Sequence, residues 1–393
     1  MLRQTTQALG IGIANTFAQP RHVLLTAFGL LVAGITLLVL LTIPAGLQRL
    51  AGRSGMPDVA MVLSGHAITE ASGSIAPDLV QLLGTLPGIA HTAKGQPMVA
   101  PQFVVKTRLR RMNGSTATVL IRGVTPMFWQ VAGDHVKLAS GQRPRSGVDQ
   151  LLAGVAAARG FAALDTGATV TIHKAPWHVS GEFTAGGGFW ESQLWANMAA
   201  LQGTYNAQGK VTSVWVKLTS PAAFKTFAKA VKADARLKGL QVVKQSAYYQ
   251  RQTGFLDYMV GMGTRAVGLA LGLGAILATL NALALALAAR RRQLAVLRSI
   301  GLSRMGLALA LLCEVLVIAV VCTCIVTLIG WFAVNGYAIG SSTFQAAIEF
   351  QLHVSTGVIW RTLVYLLILA AISAAWPIWS AVRAPLTKAL QDE

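Results

Sequence analysis

Four apolar runs, each long enough to cross a bilayer, decide what this chain can fold into. They lie within residues 23–47, 258–289, 305–332 and 355–382. A transmembrane helix needs about 20 mostly apolar residues, and the first run has 25 without a charge. A composition of 54% hydrophobic and 12% charged residues is also outside the usual balance of soluble domains. The sequence therefore predicts an integral membrane protein with four transmembrane helices.

Lys and Arg in the short segments predict how the chain is oriented. Basic residues occur in segments 1–22, 290–304 and 383–393, with five arginines in the second of these, whereas segment 333–354 has neither Lys nor Arg. Because cytoplasmic loops carry an excess of Lys and Arg, we expect the first three segments in the cytoplasm. Both termini would then be cytoplasmic, and residues 48–257 and the loop at residues 333–354 would lie outside.

The predicted outer segment, residues 48–257, is long enough for one or two compact domains. Strand-like runs alternate with short helical runs along it, so we expect a mixed α+β fold. A link rich in Gly and Pro at residues 141–147 predicts a boundary between two lobes, at about 48–140 and 141–250. The overall fold class is a membrane α-helical protein with a large extracytoplasmic α+β domain of two lobes.

Local patterns in the outer segment predict individual elements. Two strand-like runs flank Asn113-Gly114, a favourable hairpin turn. Helices are expected over residues 150–159 and 194–201. Residues 212–218 alternate between apolar and other side chains, which predicts a strand with one buried face.

The outer segment is also strongly basic. Between residues 53 and 251 it has 21 Lys and Arg against 9 Asp and Glu, an excess of 12 in a chain whose net charge is +19. A solvated basic surface is one interpretation, and a patch for an anionic partner, substrate or lipid headgroup is the other. A nucleic-acid partner is not expected on the outer side of a membrane.

Sequence motifs for chemistry are absent. All three cysteines lie in the third predicted helix, and His173 and His178 lack the accompanying Glu of a zinc motif. The chain has no phosphate-binding loop of the form G-x-x-x-x-G-K-[ST]. We therefore predict no catalytic, cofactor-binding or metal-binding residue in this chain.

The segment between the second and third helices is basic and amphipathic. It is interpreted either as an anchor on anionic headgroups or as a knob that fits a groove on a cytoplasmic partner. Its apolar residues are Leu294, Val296, Leu297 and Ile300, and its charged residues are Arg290, Arg291, Arg292 and Arg298.

Two further features lie inside the predicted membrane helices. Glu314 is about ten residues into the third helix, where a carboxylate needs a partner, and we expect an arginine of residues 290–304, such as Arg304, or a group in another helix. Gly268 and Gly272 form a G-x-x-x-G pattern in the second helix. This pattern predicts close helix packing, either within the chain or between two copies of it.

The order of these features resembles the MacB/FtsX family of ABC-transporter permeases. Matching stretches include Ile-Arg-Gly-Val-Thr-Pro at residues 121–126, Gly-Gln-Arg at 141–143, the basic signature at 291–301, and Glu314. The chain departs from the family where Gln293 replaces a frequent Glu.

The resemblance implies partners and a role for the basic segment. Residues 290–301, including Gln293 and Gly301, would contact a cytoplasmic ABC ATPase present in two copies, which would bind the ATP and Mg. A second permease protomer, as a homodimer, is implied, as are a periplasmic adaptor, an outer-membrane channel and a location in the inner membrane.

Among the functions of this family, we expect mechanotransmission: ATP hydrolysis in the partner moves the outer domain and so exports or releases a substrate. An FtsX-like subunit that activates an extracytoplasmic hydrolase and a lipoprotein-extraction permease are the alternatives. In each case this chain is a non-catalytic permease subunit, with the ATPase activity in the partner.

Overall fold

The computed structural model describes residues 20–299, 303–342 and 347–383. In chain order its helices are α1 (Pro20–Gly52), α2 (Pro77–Leu83), α3 (Pro126–Ala132), α4 (Val155–Gly160), α5 (Met198–Thr204), α6 (Phe224–Ala233), α7 (Gln245–Ala289), α8 (Arg291–Ser299), α9 (Arg304–Ala333) and α10 (Thr356–Arg383). Its strands are β1 (Val59–Ser64), β2 (Val99–Arg110), β3 (Thr116–Val124), β4 (Lys137–Gly141), β5 (Gln150–Gly154), β6 (Thr169–Ile172), β7 (Ala175–Thr184), β8 (Gln193–Asn197), β9 (Ser213–Lys217), β10 (Leu240–Lys244), β11 (Ala338–Ser342) and β12 (Ala347–Gln351).

These elements form two compact units. Among the described residues, the helical unit comprises 20–46, 257–299, 303–337 and 351–383, and the sheet unit comprises 47–256, 338–342 and 347–350. The long helices α1 and α7 each contribute residues to both units.

The helical unit contains the predicted spans. Among the described residues, four helices are long and apolar enough to cross a membrane: Thr26–Gly52, Gly261–Ala289, Arg304–Ala333 and Thr356–Arg383. The prediction of four transmembrane helices is confirmed. Only 17% of the apolar stretch of the second span is buried, against 50% for the third span. Most side chains of the second span therefore face outward.

Close contact among α1, α9 and α10 depends on a glycine. A Cβ added at Gly34 would lie 2.9 Å from Val326 and 3.0 Å from Leu366, which is too close for a real side chain. The absence of a side chain at this position therefore allows the three helices to pack together.

The sheet unit is built on a mixed sheet of ten strands in the order β10-β1-β9-β2-β3-β8-β5-β7-β4, with β6 paired to β7. The pairs β3–β8 and β5–β7 are parallel, and the other pairs along this order are antiparallel. Short helices pack on this sheet, which confirms the predicted α+β class.

The two apolar cores of the sheet unit do not divide at residue 140, where the sequence analysis placed the boundary between lobes. One apolar core comes from residues 103–201, and the other combines residues 60–89 with residues 211–237. The second core is discontinuous because β9 and β10, late in the chain, pair on either side of β1. The Gly- and Pro-rich link at 141–147 thus joins β4 to β5 within one half of the sheet and is not a lobe boundary.

Three local predictions are corrected by the sheet. The helices expected over 150–159 and 194–201 each begin as a strand, β5 and β8, and only their second halves are helical. Strand β9 is buried on both faces, with Trp215 as inaccessible as Val214, because it lies between β1 and β2 in the sheet interior. Pairing within a central sheet thus overrides local propensity.

The hairpin predicted at Asn113-Gly114 joins β2 to β3. Gly114 has a φ of +82°, and Asn113 Oδ1 accepts hydrogen bonds from the backbone N and the hydroxyl of Ser115. Segment 333–354, expected as a loop, contains the paired strands β11 and β12.

Candidate functional site

Residues 290–304, which contain the stretch that the family resemblance assigns to contact with an ATPase, are called the coupling segment below. The segment contains one short helix, α8, which is joined to α7 by a single residue. Arg290 lies between α7 and α8; its N–H donates to the carbonyl of Leu287 at 3.2 Å, and its own carbonyl accepts from Leu294 N at 3.0 Å. After α8, Ser303 caps α9 by accepting a hydrogen bond from Gly306 N at 3.0 Å. Both ends of the segment that lies between spans two and three are therefore tied to those spans.

Arg290 forms a buried ion pair with Glu314. The distance from Arg290 Nη1 to Glu314 Oε1 is 3.0 Å, and the two residues are 5% and 7% exposed. A cavity of about 20 Å³, roughly the space of one water molecule, lies beside them and is also lined by Thr26. The partner of Glu314 is thus an arginine of the predicted segment, but it is Arg290 rather than the exposed Arg304 named as a candidate.

Helix α8 packs one face against the helical unit. Leu294 and Ala295 are 6% and 4% exposed, and Leu294 belongs to the same apolar core as Leu283 and Leu311. On the other face Gln293 and Ser299 are exposed, and Val296 is 43% exposed. Residues three and four apart share a helix face, which explains why Arg290 and Leu294 turn inward together.

This geometry corrects part of the predicted knob. Leu294 and Arg290 face the core of their own unit and are buried, whereas Gln293 and Val296 are exposed. Arg298 is half-buried. The side chains of Arg291, Arg292 and Leu297, and the residues Ile300 and Gly301, lie outside the described part of the chain.

The G-x-x-x-G pattern of the second span faces outward. A Cβ added at Gly268 or Gly272 would meet no atom within 4 Å, and the nearby Leu269 and Leu273 are 70% and 62% exposed. Within the described residues, neither glycine makes close packing inside this chain.

A buried polar network, missed by the sequence analysis, lies in the sheet unit. Glu70 Oε2 accepts from Arg122 Nη1 at 2.5 Å, and Glu70 Oε1 accepts from the Tyr249 hydroxyl at 3.1 Å. Arg122 is fully buried, also donates to Gln102 Oε1 and Gln193 Oε1, and has its guanidinium 4.9 Å from the ring of Trp215. Four strands and the start of α7 thus meet at one carboxylate and one guanidinium.

Two tyrosines bring α7 into this network. Tyr248 accepts a hydrogen bond from Glu70 N at 2.9 Å, and Tyr249 accepts one from Trp190 Nε1 at 2.9 Å. Burial, and then the negative charge of Glu70, raise the pKa of the Tyr249 hydroxyl well above its usual value, and the same two causes raise the pKa of Tyr248. Both hydroxyls therefore stay protonated and able to donate.

The ion pair with Glu70 favours the charged form of Arg122. Burial is the largest single influence and lowers the pKa of the Arg122 guanidinium, but the charge and hydrogen bond of Glu70, together with Tyr249 and Tyr248, outweigh it, so this pKa is raised. A cation in the middle of β3, between Ile121 and Gly123, was the signal in the sequence that a buried partner exists. Nothing in the sequence pointed to Glu70 as that partner.

A metal site is not apparent in the described ranges: no group of three His, Cys, Asp or Glu side chains there is arranged to hold a metal ion. The absence of cofactor and metal residues stays a prediction from sequence.

Comparison with known proteins identifies both parts of the chain. The model of the MacB-like periplasmic core domain matches residues 23–234, and the model of the FtsX-like permease C-terminal domain matches residues 265–386. No curated protein matches the chain.

Two solved structures are similar to about half of the chain. The periplasmic region of MacB from Actinobacillus actinomycetemcomitans is 16% identical with a TM-score of 0.36, over 51% of this chain and 94% of that one. The extracellular domain of the ABC-type transporter YknZ from Gram-positive bacteria is 14% identical with a TM-score of 0.35, over 47% of this chain and 99% of that one.

The first family model covers more than half of the chain, and the second covers three of its four spans. Members of this family are generally non-catalytic permeases, and membership implies an ABC ATPase as partner. Four apolar helices with a MacB-type periplasmic domain fit an inner-membrane protein. The chain belongs to the MacB/FtsX family of ABC-transporter permeases.

Proposed function

We propose that this permease couples ATP hydrolysis by a separate ABC ATPase to movement of its periplasmic sheet unit, and so exports or releases a substrate. The observation that carries the proposal is the continuity of α7. This helix of 45 residues begins directly after β10, forms the second span and ends at Ala289, one residue before Arg290. Because no loop interrupts this helix, we propose that a movement at one of its ends is passed to the other.

The cytoplasmic end of α7 supports this role. Helix α8 follows α7 after one residue, and the buried pair Arg290–Glu314 ties that junction to the third span. The exposed face of α8, with Gln293 and Val296, offers a contact for the ATPase. Because α8 is held on its inner face, a force on its outer face moves the spans rather than the helix alone.

The opposite end of α7 is held as firmly. Its first turns contribute Tyr248 and Tyr249 to the Glu70–Arg122 network, and Gln245 Oε1 accepts a hydrogen bond from Met56 N at 2.8 Å. Hydrogen bonds in a buried site are stronger than in water, so these contacts hold the first turns of α7 to the sheet unit. A movement of α7 would therefore shift the sheet instead of being absorbed by a flexible joint.

We further propose that two copies of this chain pair through the outward face of the second span around Gly268 and Gly272, with two ATPase copies below them. ATP and Mg would be bound by the ATPase. Both termini would be cytoplasmic, in agreement with the distribution of Lys and Arg. A periplasmic adaptor and an outer-membrane channel would complete an efflux assembly.

The test uses the full chain in lipid nanodiscs, after co-expression with the genes that neighbour its own, and asks whether an ABC ATPase co-purifies. Val296→Glu places a charge on the exposed face of α8, and Val148→Glu is the matched control, because Val148 is 44% exposed in the sheet unit and Val296 is 43% exposed. We expect Val296→Glu to abolish co-purification of the ATPase or reduce its ATP turnover about tenfold, while the control keeps both.

Two results would overturn the proposal. One is an intact wild-type chain that recruits no ATPase, and the other is a Val296→Glu variant that behaves like the control. The other proteins that co-purify distinguish the possible functions of the movement. An adaptor supports efflux, a lipoprotein carrier supports lipoprotein extraction, and a cell-wall hydrolase supports activation of that hydrolase.

A further inference from the structure

A cavity of about 220 Å³ opens in the sheet unit beside the start of α3. One wall is the end of β3 and the first turn of α3, from Val124 to Trp129; the second is the link after β4, with Arg143 and Ser146; and Asn197, at the end of β8, closes the third. None of these residues belongs to the Glu70–Arg122 network or to the coupling segment.

The charge in the cavity comes from Arg143 alone. Arg143 is exposed, and its guanidinium lies 4.6 Å from the centre of the Trp129 ring, a cation–π contact that favours this position of the cation. No Asp or Glu lines the cavity, and among the described residues no carboxylate forms an ion pair with Arg143. The cavity is therefore lined by a cation for which the described residues supply no carboxylate partner.

Hydrogen-bond donors accompany this cation. Asn197 Oδ1 accepts from Gly147 N at 3.3 Å and from Ala200 N at 3.2 Å, so its oxygen faces the backbone and its NH₂ group is left for another acceptor. The hydroxyl of Thr125 is buried in the cavity wall and has no hydrogen-bond partner among the described residues.

The rest of the lining is apolar. Val124, Pro126 and Pro144 join the ring of Trp129 as hydrophobic surface. Binding pockets combine such surface with a few polar groups that orient the ligand. At about 220 Å³, this cavity is smaller than the roughly 300–1,000 Å³ of sites for drug-sized ligands, so a single ring with one head group suits it.

We propose that this cavity is a binding site for a small organic anion. The carboxylate or phosphate head group binds Arg143 and the amide NH₂ of Asn197, and the apolar body of the ligand lies against Trp129 and Pro126. The excess of 12 positive charges between residues 53 and 251 raises the local concentration of anions around the unit. The site requires no ATPase, so it is tested apart from the proposed coupling function.

The experiment follows binding by ¹⁹F NMR with the full chain in zwitterionic nanodiscs. The probes are 4-fluorobenzoate and 4-fluorophenyl phosphate, which separate the two head groups, and the neutral 4-fluorobenzyl alcohol, which has the same ring without the charge. We expect saturable broadening with at least one anion and none with the alcohol. Empty nanodiscs give the background from the lipid.

Two arginine variants localise the site. Arg143→Gln should weaken binding of the anion about tenfold or more, because a charge-assisted hydrogen bond is lost. Arg145→Gln is the matched control, since Arg145 is an exposed arginine two residues away that does not line the cavity. Trp129→Phe should weaken binding less than Arg143→Gln does, because Phe keeps part of the apolar contact.

Several outcomes would overturn the proposal. If neither anion binds, or if the alcohol binds as tightly as the anions, the cavity does not recognise charge. If Arg143→Gln binds like the wild type, or if Arg145→Gln weakens binding equally, the effect comes from the diffuse basic surface. Unchanged thermal unfolding of each variant shows that loss of binding is not loss of fold.

Discussion

Arg290 and Glu314 join the end of the second span to the third span through an ion pair of 3.0 Å in which both residues are less than a tenth exposed. Arg290 immediately precedes α8, so the pair fixes the point from which that helix starts. A charge in such a place is costly unless it is paired. The pair therefore makes the position of α8 depend on contact between two spans.

Glu314→Gln should destabilise the protein by about 3–5 kcal/mol, because it leaves the charge of Arg290 buried without its partner. The free energy of unfolding in mixed micelles measures this loss. The double variant Arg290→Glu with Glu314→Arg should recover part of it, since it restores opposite charges at the same two positions.

Arg304→Gln is the control for this prediction. Arg304 is exposed at the start of α9, so its replacement should change the free energy of unfolding by no more than about 0.5 kcal/mol. Equal losses for Glu314→Gln and Arg304→Gln would contradict the assigned pair.

The network in the sheet unit predicts a second large loss. Arg122→Met removes a fully buried cation and leaves Glu70 unpaired, which should cost about 3–5 kcal/mol of unfolding free energy. Arg236→Met is the comparison, because Arg236 pairs with Asp234 at the surface and surface pairs contribute about 0–1 kcal/mol. Chemical denaturation, followed through tryptophan fluorescence, distinguishes the two; similar midpoints would show that the buried network is dispensable.

The tyrosines of this network predict a loss of stability in alkali. Burial and the charge of Glu70 raise the pKa of Tyr249 in the folded state, whereas in the unfolded chain it is about 10. The folded state therefore keeps a proton that the unfolded state releases, so stability is complete below about pH 10 and falls as the pH rises above it.

Unfolding midpoints between pH 9 and 12 measure this effect. Tyr249→Phe should flatten the decline, while Tyr258→Phe, which removes a hydroxyl from a residue 63% exposed, should not. Tyrosinate absorbance that appears in the folded protein with a midpoint near pH 10 for every tyrosine would argue against the burial of Tyr249.

The helical unit was largely predictable because its signals are local. Twenty or more apolar residues in a row are sufficient to predict a span, and the observed span Thr356–Arg383 lies within one residue of the prediction. It was harder to predict from the sequence that the apolar face of α8 packs against the core of the helical unit. The amphipathic pattern of this helix identified Leu294 as part of an apolar face, but whether that face meets a partner or the protein's own core depends on tertiary contacts.

The sheet unit was harder to predict because its order is not sequential. Residues 150–154 and 193–197 have the composition of helices, yet they pair as β5 and β8 in the sheet interior. Likewise, Glu70 and Arg122 are 52 residues apart, and no spacing rule connects them. The cavity at Arg143 arises from three separate segments, so its lining could be recognised only in the fold.

Helix α8 yields a pair of predictions with opposite expectations. Leu294→Ala removes a buried side chain from the core of the helical unit and should cost about 2–5 kcal/mol. Val296→Ala, on the exposed face, should cost no more than about 0.5 kcal/mol. Melting temperatures of the purified chain without ATPase test both, and a larger loss at Val296 would reverse the assignment of the two faces.

The outward face of the second span predicts contact between two copies of the chain. After Cys313, Cys322 and Cys324 are replaced by Ala, Gly268→Cys should form a disulfide-linked dimer in membranes under oxidation, because nothing in the described part of the chain lies within 4 Å of a Cβ at this position. Val320→Cys is the control: it is also outward-facing, at 44% exposure, but lies on the third span. Failure of cysteines at 268, 272 and the positions between them to crosslink, or equal crosslinking at 320, would rule out this face as the dimer contact.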